Sequence, residues 1–146
     1  MTKIAIFFVG LTALAQVVFL ILEMFFWDKP PGFAVFKHPD LKQLGLEQPS
    51  LNQSDLLKES DLKQPGLIYA TITKTLAMNQ GLYNGFLAAG LAWGLCPRTA
   101  GHDIQIFFLV CVVIAGVYGA VTLRKPPILF VQALPAAIAL ALVILS

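Results

Sequence analysis

The stretch AMNQGLYNGFLAAGLAWGL, residues 77–95, decides how the chain is read. It is apolar enough to cross a membrane, yet it opens with Asn79, Gln80, Tyr83 and Asn84. A lipid tail cannot hydrogen-bond these groups, so other helices, water or a ligand must supply partners. On a helix, at about 100° per residue, the four span an arc of roughly 140°. Gly81, Gly85, Ala88 and Ala92 form a neighbouring stripe of small residues, and Leu82, Phe86, Ala89 and Trp93 cover the opposite side. The bulky side suits lipid and the small stripe suits close helix contact. The polar arc is expected to face the interior of a bundle. Amides between membrane helices also act as plain structural glue, averaging about 0.6 kcal/mol, so the arc alone does not separate a site from a scaffold.

Composition agrees with a membrane setting. Of 146 residues, 58% are hydrophobic and only 12% charged, against about 25% charged in ordinary soluble domains. The length suits one domain. A net charge of +2 gives no argument for nucleic acid. Cys96 and Cys111 form no CxxC pair, so they supply neither a metal site nor a disulfide framework. No cofactor is implied.

Working outward, the first apolar run is residues 4–27. Lys3 before it and Ala13-Leu14-Ala15 within it resemble a signal peptide. The run continues through VVFLILEMFFW, however, and reaches the roughly 20 residues that a spanning helix needs. Val9, Thr12, Gln16, Leu20 and Glu23 share one face, and Glu23 is the only ionisable side chain in the run. Residues 28–71 form a polar connection. Pro30-Pro31-Gly32 is expected to end the first helix, with residues 33–38 touching the membrane surface. DLKQLGL at 40–46 returns as DLKQPGL at 61–67, a local duplication read as a surface insertion dispensable for folding. A short amphipathic helix around residues 54–62, capped by Ser54, is expected between the copies. Further spans are expected at about 72–95, 104–123 and 128–145, with Pro135 bending the last. The fold class is therefore an all-α, integral-membrane, antiparallel four-helix bundle, with a long polar loop between helices one and two.

Four spans put both termini on one side. The first and third loops carry Lys29, Lys37, Lys42, Lys58, Lys63, Arg124 and Lys125, with Lys74 at the membrane edge, whereas the opposite side has Lys3 and Arg98. By the positive-inside rule the long first loop is cytoplasmic and both termini are outside the cell membrane. At 1.5 Å per residue, Glu23 lies about 6 Å deep, and Gln80, Tyr118 and Gln132 lie about 9–10 Å deep, all counted from that interface. Polar groups from four helices thus fall in one layer. Glu23, Asn79, Gln80, Asn84, Tyr118 and Gln132 are expected to converge there, with Gln16, Tyr83, Thr122 and Arg124 as further ligand-binding or proton-carrying candidates. Three states of Glu23 stay open. It stays protonated and donates to an amide, it pairs with Arg124, or it binds and releases protons in function.

LEMFFW (22–27), NQGLYNGFLAAGL (79–91), AGVYGAVT (115–122) and FVQALPA (130–136) together resemble the blocks of a family of small bacterial and fungal membrane proteins, the domain-of-unknown-function family 1304. The resemblance covers all four helices. It implies the four-helix fold and singles out the polar residues, but it implies no activity. The family often carries a histidine seven residues before the first-helix glutamate. Gln16 stands there in this chain, which weakens a metal or proton-relay role for the pair.

Three classes of function remain. One is binding or transport of a small or amphipathic molecule at the polar layer around Glu23; the small multidrug resistance transporters offer an analogy in helix number and first-helix glutamate, without their signature motifs. A second is a membrane enzyme acting on a lipid or isoprenoid, against which the chain lacks a nucleophile motif and clustered metal ligands. The third is a structural or accessory subunit. The lipid bilayer is the expected partner, with a homo-oligomer through the Gly/Ala stripes.

Overall fold

The structure is a computed structural model, and it describes residues 1–38, 66–97, 100–122 and 127–146. The duplicated segment, the helix expected around residues 54–62 and Arg124 lie outside the described residues. Among the described residues there are five α-helices and no strand. They are α1 (Lys3–Phe25), α2 (Pro30–Phe36), α3 (Leu67–Gly94), α4 (Gly101–Thr122) and α5 (Leu134–Ile144), the last preceded by a π-helical turn, Leu129–Ala133.

The local chemistry explains the breaks. α1 contains no proline and runs 23 residues before the polar Asp28 and Lys29. α1 has ended before Pro30-Pro31-Gly32, and Pro30 and Pro31 themselves begin a second helix. Proline lacks an N–H, and in the first helical turn none is required. α2 closes on Lys37 in the left-handed region (φ 46°), with its N–H bonded to Phe33 O. Gly66 starts the next segment at φ 82°, where a Cβ would lie 2.7 Å from His38 O, so only glycine fits. α3 begins at Leu67, about one turn before the expected start, and stops before Pro97. Pro135 has no N–H for the carbonyl four residues back. The chain widens into the π turn just before it, and Leu134 N bonds Leu129 O.

The chain forms two units by its internal contacts: Met1–Leu20 with Tyr83–Ser146, and Ile21–Leu82. The first has a core of Ala5 and Val9 from α1, Leu91 from α3, Leu109 and Val112 from α4, and Ala136, Ala139 and Val143 from α5. Small residues let its helices approach. The Phe108 ring lies over Gly90, and a Cβ on Gly116 would sit 2.9 Å from Ala133 N. Buried positions on α4 are Gln105, Leu109, Val112, Gly116 and Ala120, a three–four spacing that faces inward. The second unit holds the last turns of α1, α2 and the first half of α3.

α1 and α4 are long and apolar enough to cross a membrane; Leu129–Ile144 is apolar but shorter. At 1.5 Å per residue α1 is about 35 Å long, against a hydrocarbon core of about 30 Å. The outer faces are apolar too. Ile4, Phe7, Leu11, Leu14, Val18 and Phe25 on α1, and Phe107, Ile114 and Val121 on α4, are all exposed.

Candidate functional site

Glu23 is the central residue of the second unit. It is 2% exposed within an otherwise apolar helix, and Gln80 Nε2 donates to its Oε1 at 3.1 Å. Two more pairs join the turn that follows α1 to α3. Trp27 Nε1 donates to Thr73 Oγ1 at 3.1 Å, and Lys74 Nζ bonds Asp28 Oδ2 at 2.8 Å. As residue numbers rise on α1 they fall on α3, which is the register of an antiparallel helix pair. On α3, Lys74 is six residues from Gln80, about 9 Å along the axis at 1.5 Å per residue. Asp28 Oδ1 is buried without a hydrogen-bond partner.

Beside these pairs sits an aromatic cluster that the sequence reading did not assemble. The His38 ring lies 4.4 Å from Trp27, 5.1 Å from Phe33 and 5.8 Å from Tyr69 between centroids, and His38 Nε2 is 2.9 Å from Trp27 O. Its signal in the sequence was the density of aromatics around the Pro-Pro-Gly break, which had been assigned to the membrane surface alone.

In the first unit the buried polar residues are Thr12, Gln16, Asn84, Gln105 and Gln132. Thr12 satisfies its own hydroxyl on Phe8 O at 2.8 Å. Gln16 is 0% exposed, and neither its Nε2 nor its Oε1 has a hydrogen-bond partner among the described residues. Gln105, a residue the sequence reading passed over, donates through Nε2 to Gly94 O at 2.7 Å and so satisfies a carbonyl at the end of α3. Its sequence signal is a lone amide in the run IQIFFLV. Gln132 is buried in the π turn before Pro135.

The ten sequence candidates do not share one environment. Glu23, Gln16, Asn84 and Gln132 are buried; Asn79, Gln80, Tyr83, Tyr118 and Thr122 are exposed, and Arg124 lies outside the described residues. The exposed group corrects the expectation that the polar residues of α3 and α4 all turn inward. On α3 the buried positions Ala77, Gly81, Asn84, Ala88 and Leu91 define the inner face. Gln80 falls about 60° from its centre, Tyr83 about 120° and Asn79 about 160°, at 100° per residue. The small-residue stripe took the inner face, and an arc of 140° cannot follow it. On α4, Tyr118 is 70% exposed and shares the outer face with Ile114 and Val121, while Thr122 bonds Tyr118 O. Glu23, Asn79 and Gln80 belong to the second unit, and Asn84, Tyr118 and Gln132 to the first.

Chemically, the second unit offers a carboxyl group in apolar surroundings with an amide donor fixed on it. Ionised, a carboxylate only accepts hydrogen bonds; protonated, it also becomes a donor. Among the described residues no group of three or more His, Cys, Asp or Glu is placed to hold a metal.

Residues 65–144 match the family described as "Protein of unknown function (DUF1304)". A curated protein of Lactococcus lactis subsp. lactis (strain IL1403), "Uncharacterized protein YpaA", is 34% identical over 56 residues, 38% of this chain and 47% of that protein. The chain thus matches about half the length of this relative. No solved structure matches the chain.

Proposed function

The chain belongs to the DUF1304 family, and from that premise we propose that it is a small multi-pass membrane protein that binds or transports a small or amphipathic molecule at a polar site around Glu23. In this reading α1, α3, α4 and α5 with its preceding π turn cross the bilayer as an antiparallel four-helix bundle. The polar segment after α2 is cytoplasmic and both termini are outside. Apolar exposure supports insertion: exposed side chains repeat along the outer faces of α1 and α4, and contiguous apolar surface of that extent marks a membrane or partner contact.

The observation that carries the site is Glu23 itself. An ionisable group inside a spanning helix is costly and marks a functional position by default. Gln80 donates to its carboxyl, and a carboxyl group is the chemistry that recognises an amine, alcohol or amide. Asp28–Lys74 and Trp27–Thr73 fix the two helices at the interfacial end, so the carboxyl is held in a set place.

The test combines labelling and stability in detergent. A hydrophobic carbodiimide, which attacks protonated carboxyls in apolar surroundings, is expected to modify the peptide containing Glu23. An amphipathic amine that occupies the site is expected to protect it and to raise the melting temperature. Both effects are expected to vanish in Glu23→Gln. Stabilisation that survives Glu23→Gln would overturn the site.

A second reading has its own support. The three pairs between α1 and α3 keep one register, which is what a purely structural pin would show. Under it, Glu23→Gln changes stability but no ligand effect exists to be lost, and the chain co-purifies with a fixed partner as an accessory subunit.

A further inference from the structure

α3 presents two different faces. The inner one is taken up within the chain. On the outer one, Ile72, Leu76, Asn79, Tyr83 and Phe86 are all exposed, spaced by four, three, four and three residues. At 100° per residue these five fall within about 80° of one another, a straight seam along one continuous helix. Four of the five are large and apolar or aromatic. The fifth, Asn79, is an amide in the middle of the seam, and its side chain makes no hydrogen bond among the described residues.

We propose that this seam is a homodimer interface in which α3 of one copy lies parallel to α3 of a second copy and the two Asn79 side chains bond each other. The inference rests on the membrane reading above. In lipid, the Asn79 amide must find a donor and an acceptor, and hydrocarbon supplies neither. A carboxamide carries both, so two of them facing each other across a two-fold axis satisfy one another. Copies inserted with the same topology meet in that parallel arrangement, in which residue 79 contacts residue 79. A three–four repeat with a single central Asn is also the pattern by which paired helices fix register and partner number. The neighbouring polar side chains have no such need. Gln80 is bonded to Glu23, and Thr122 to its own helix. The Gly/Ala stripes are in part already occupied within the chain, because Gly85 faces Leu20 and Gly116 faces Ala133.

The experiment is a cysteine scan in native membranes, in a Cys96→Ala, Cys111→Ala background. Oxidation is expected to cross-link Ile72→Cys, Leu76→Cys, Tyr83→Cys and Phe86→Cys, and to leave Met78→Cys and Ala89→Cys monomeric. In mild detergent, energy transfer between differently labelled copies is expected to show dimer association weakened about three- to tenfold by Asn79→Leu and largely kept by Asn79→Gln. Alkaline carbonate extraction separates the two layers of the argument. A chain released from membranes overturns the membrane reading and the seam with it. A chain retained in membranes that stays monomeric, or cross-links at every position alike, overturns the seam alone.

Discussion

Replacing Gln16 with methionine is expected to stabilise the protein, although Gln16 is one of its most deeply buried side chains. Its environment makes the sign unusual. The residue is 0% exposed, and both its amide nitrogen and its carbonyl oxygen lack hydrogen-bond partners. Each buried, unsatisfied group costs about 1–3 kcal/mol. Methionine has nearly the same length and no branch, and it removes both groups while still filling the space. Taking the low end for each group gives a gain of about 2 kcal/mol. For a chain of this size that is a rise in melting temperature of roughly 4–8 °C. Fluorescence of Trp27 and Trp93 during thermal unfolding in detergent reads the shift. Gln16→Ala is the control, because it removes the same polar atoms but leaves a cavity that costs about 2–5 kcal/mol, and its net effect is expected to be a loss. A Gln16→Met protein that is less stable than wild type would refute the reasoning, since it would mean that the amide is satisfied in the working protein. That outcome would also revive Gln16 as a ligand-binding position.

Two glycines, one on α1 and one on α4, are expected to respond in opposite directions. Gly116→Ala places a Cβ 2.9 Å from Ala133 N and 3.0 Å from Ala133 Cβ, neither of which can swing away, so a loss of about 1–3 kcal/mol is expected in the same unfolding assay. Gly10→Ala meets nothing within 4 Å and is expected to gain about 0.5–1 kcal/mol from helix propensity. For orientation, with Cys96 and Cys111 replaced, a membrane-impermeant thiol reagent on intact cells is expected to label Ala100→Cys and to miss Lys29→Cys. The reverse pattern would overturn the inside assignment of the first loop.

How much of this was legible in the sequence differs from helix to helix. On α1 the period of the apolar residues selects Val9, Thr12, Gln16, Leu20 and Glu23 as one face; Leu20 is half-buried and the other four are buried. There the polar residues replace members of the apolar stripe itself, so periodicity and polarity agree. On α3 they compete. Asn79, Gln80, Tyr83 and Asn84 form one group by polarity, but the inner face is the one that carries the buried Ala77, Gly81, Ala88 and Leu91. Only Asn84 lies on that face. The partner of Glu23 was still identifiable, because Gln80 sits at its edge with a long enough side chain to reach.

Depth and rotation are separate coordinates, and the sequence specifies them through different residues. Depth follows from counting residues from the charged ends of a helix at 1.5 Å each, and this placed Glu23 near Gln80. Rotation follows from which residues allow close approach. α4 shows what happens when only depth is used. Tyr118 has the depth of the polar layer, yet Val112, Gly116 and Ala120 turn inward and carry Tyr118 to the outside with Ile114 and Val121. A tyrosine can accept that position in a membrane, because most of its surface is an aromatic ring that suits lipid. Asn79 has no such body, only a short amide, and it is exposed several residues inside the helix. The same rotation therefore costs little at Tyr118 and leaves an unmet demand at Asn79, which a second copy of the chain is able to satisfy.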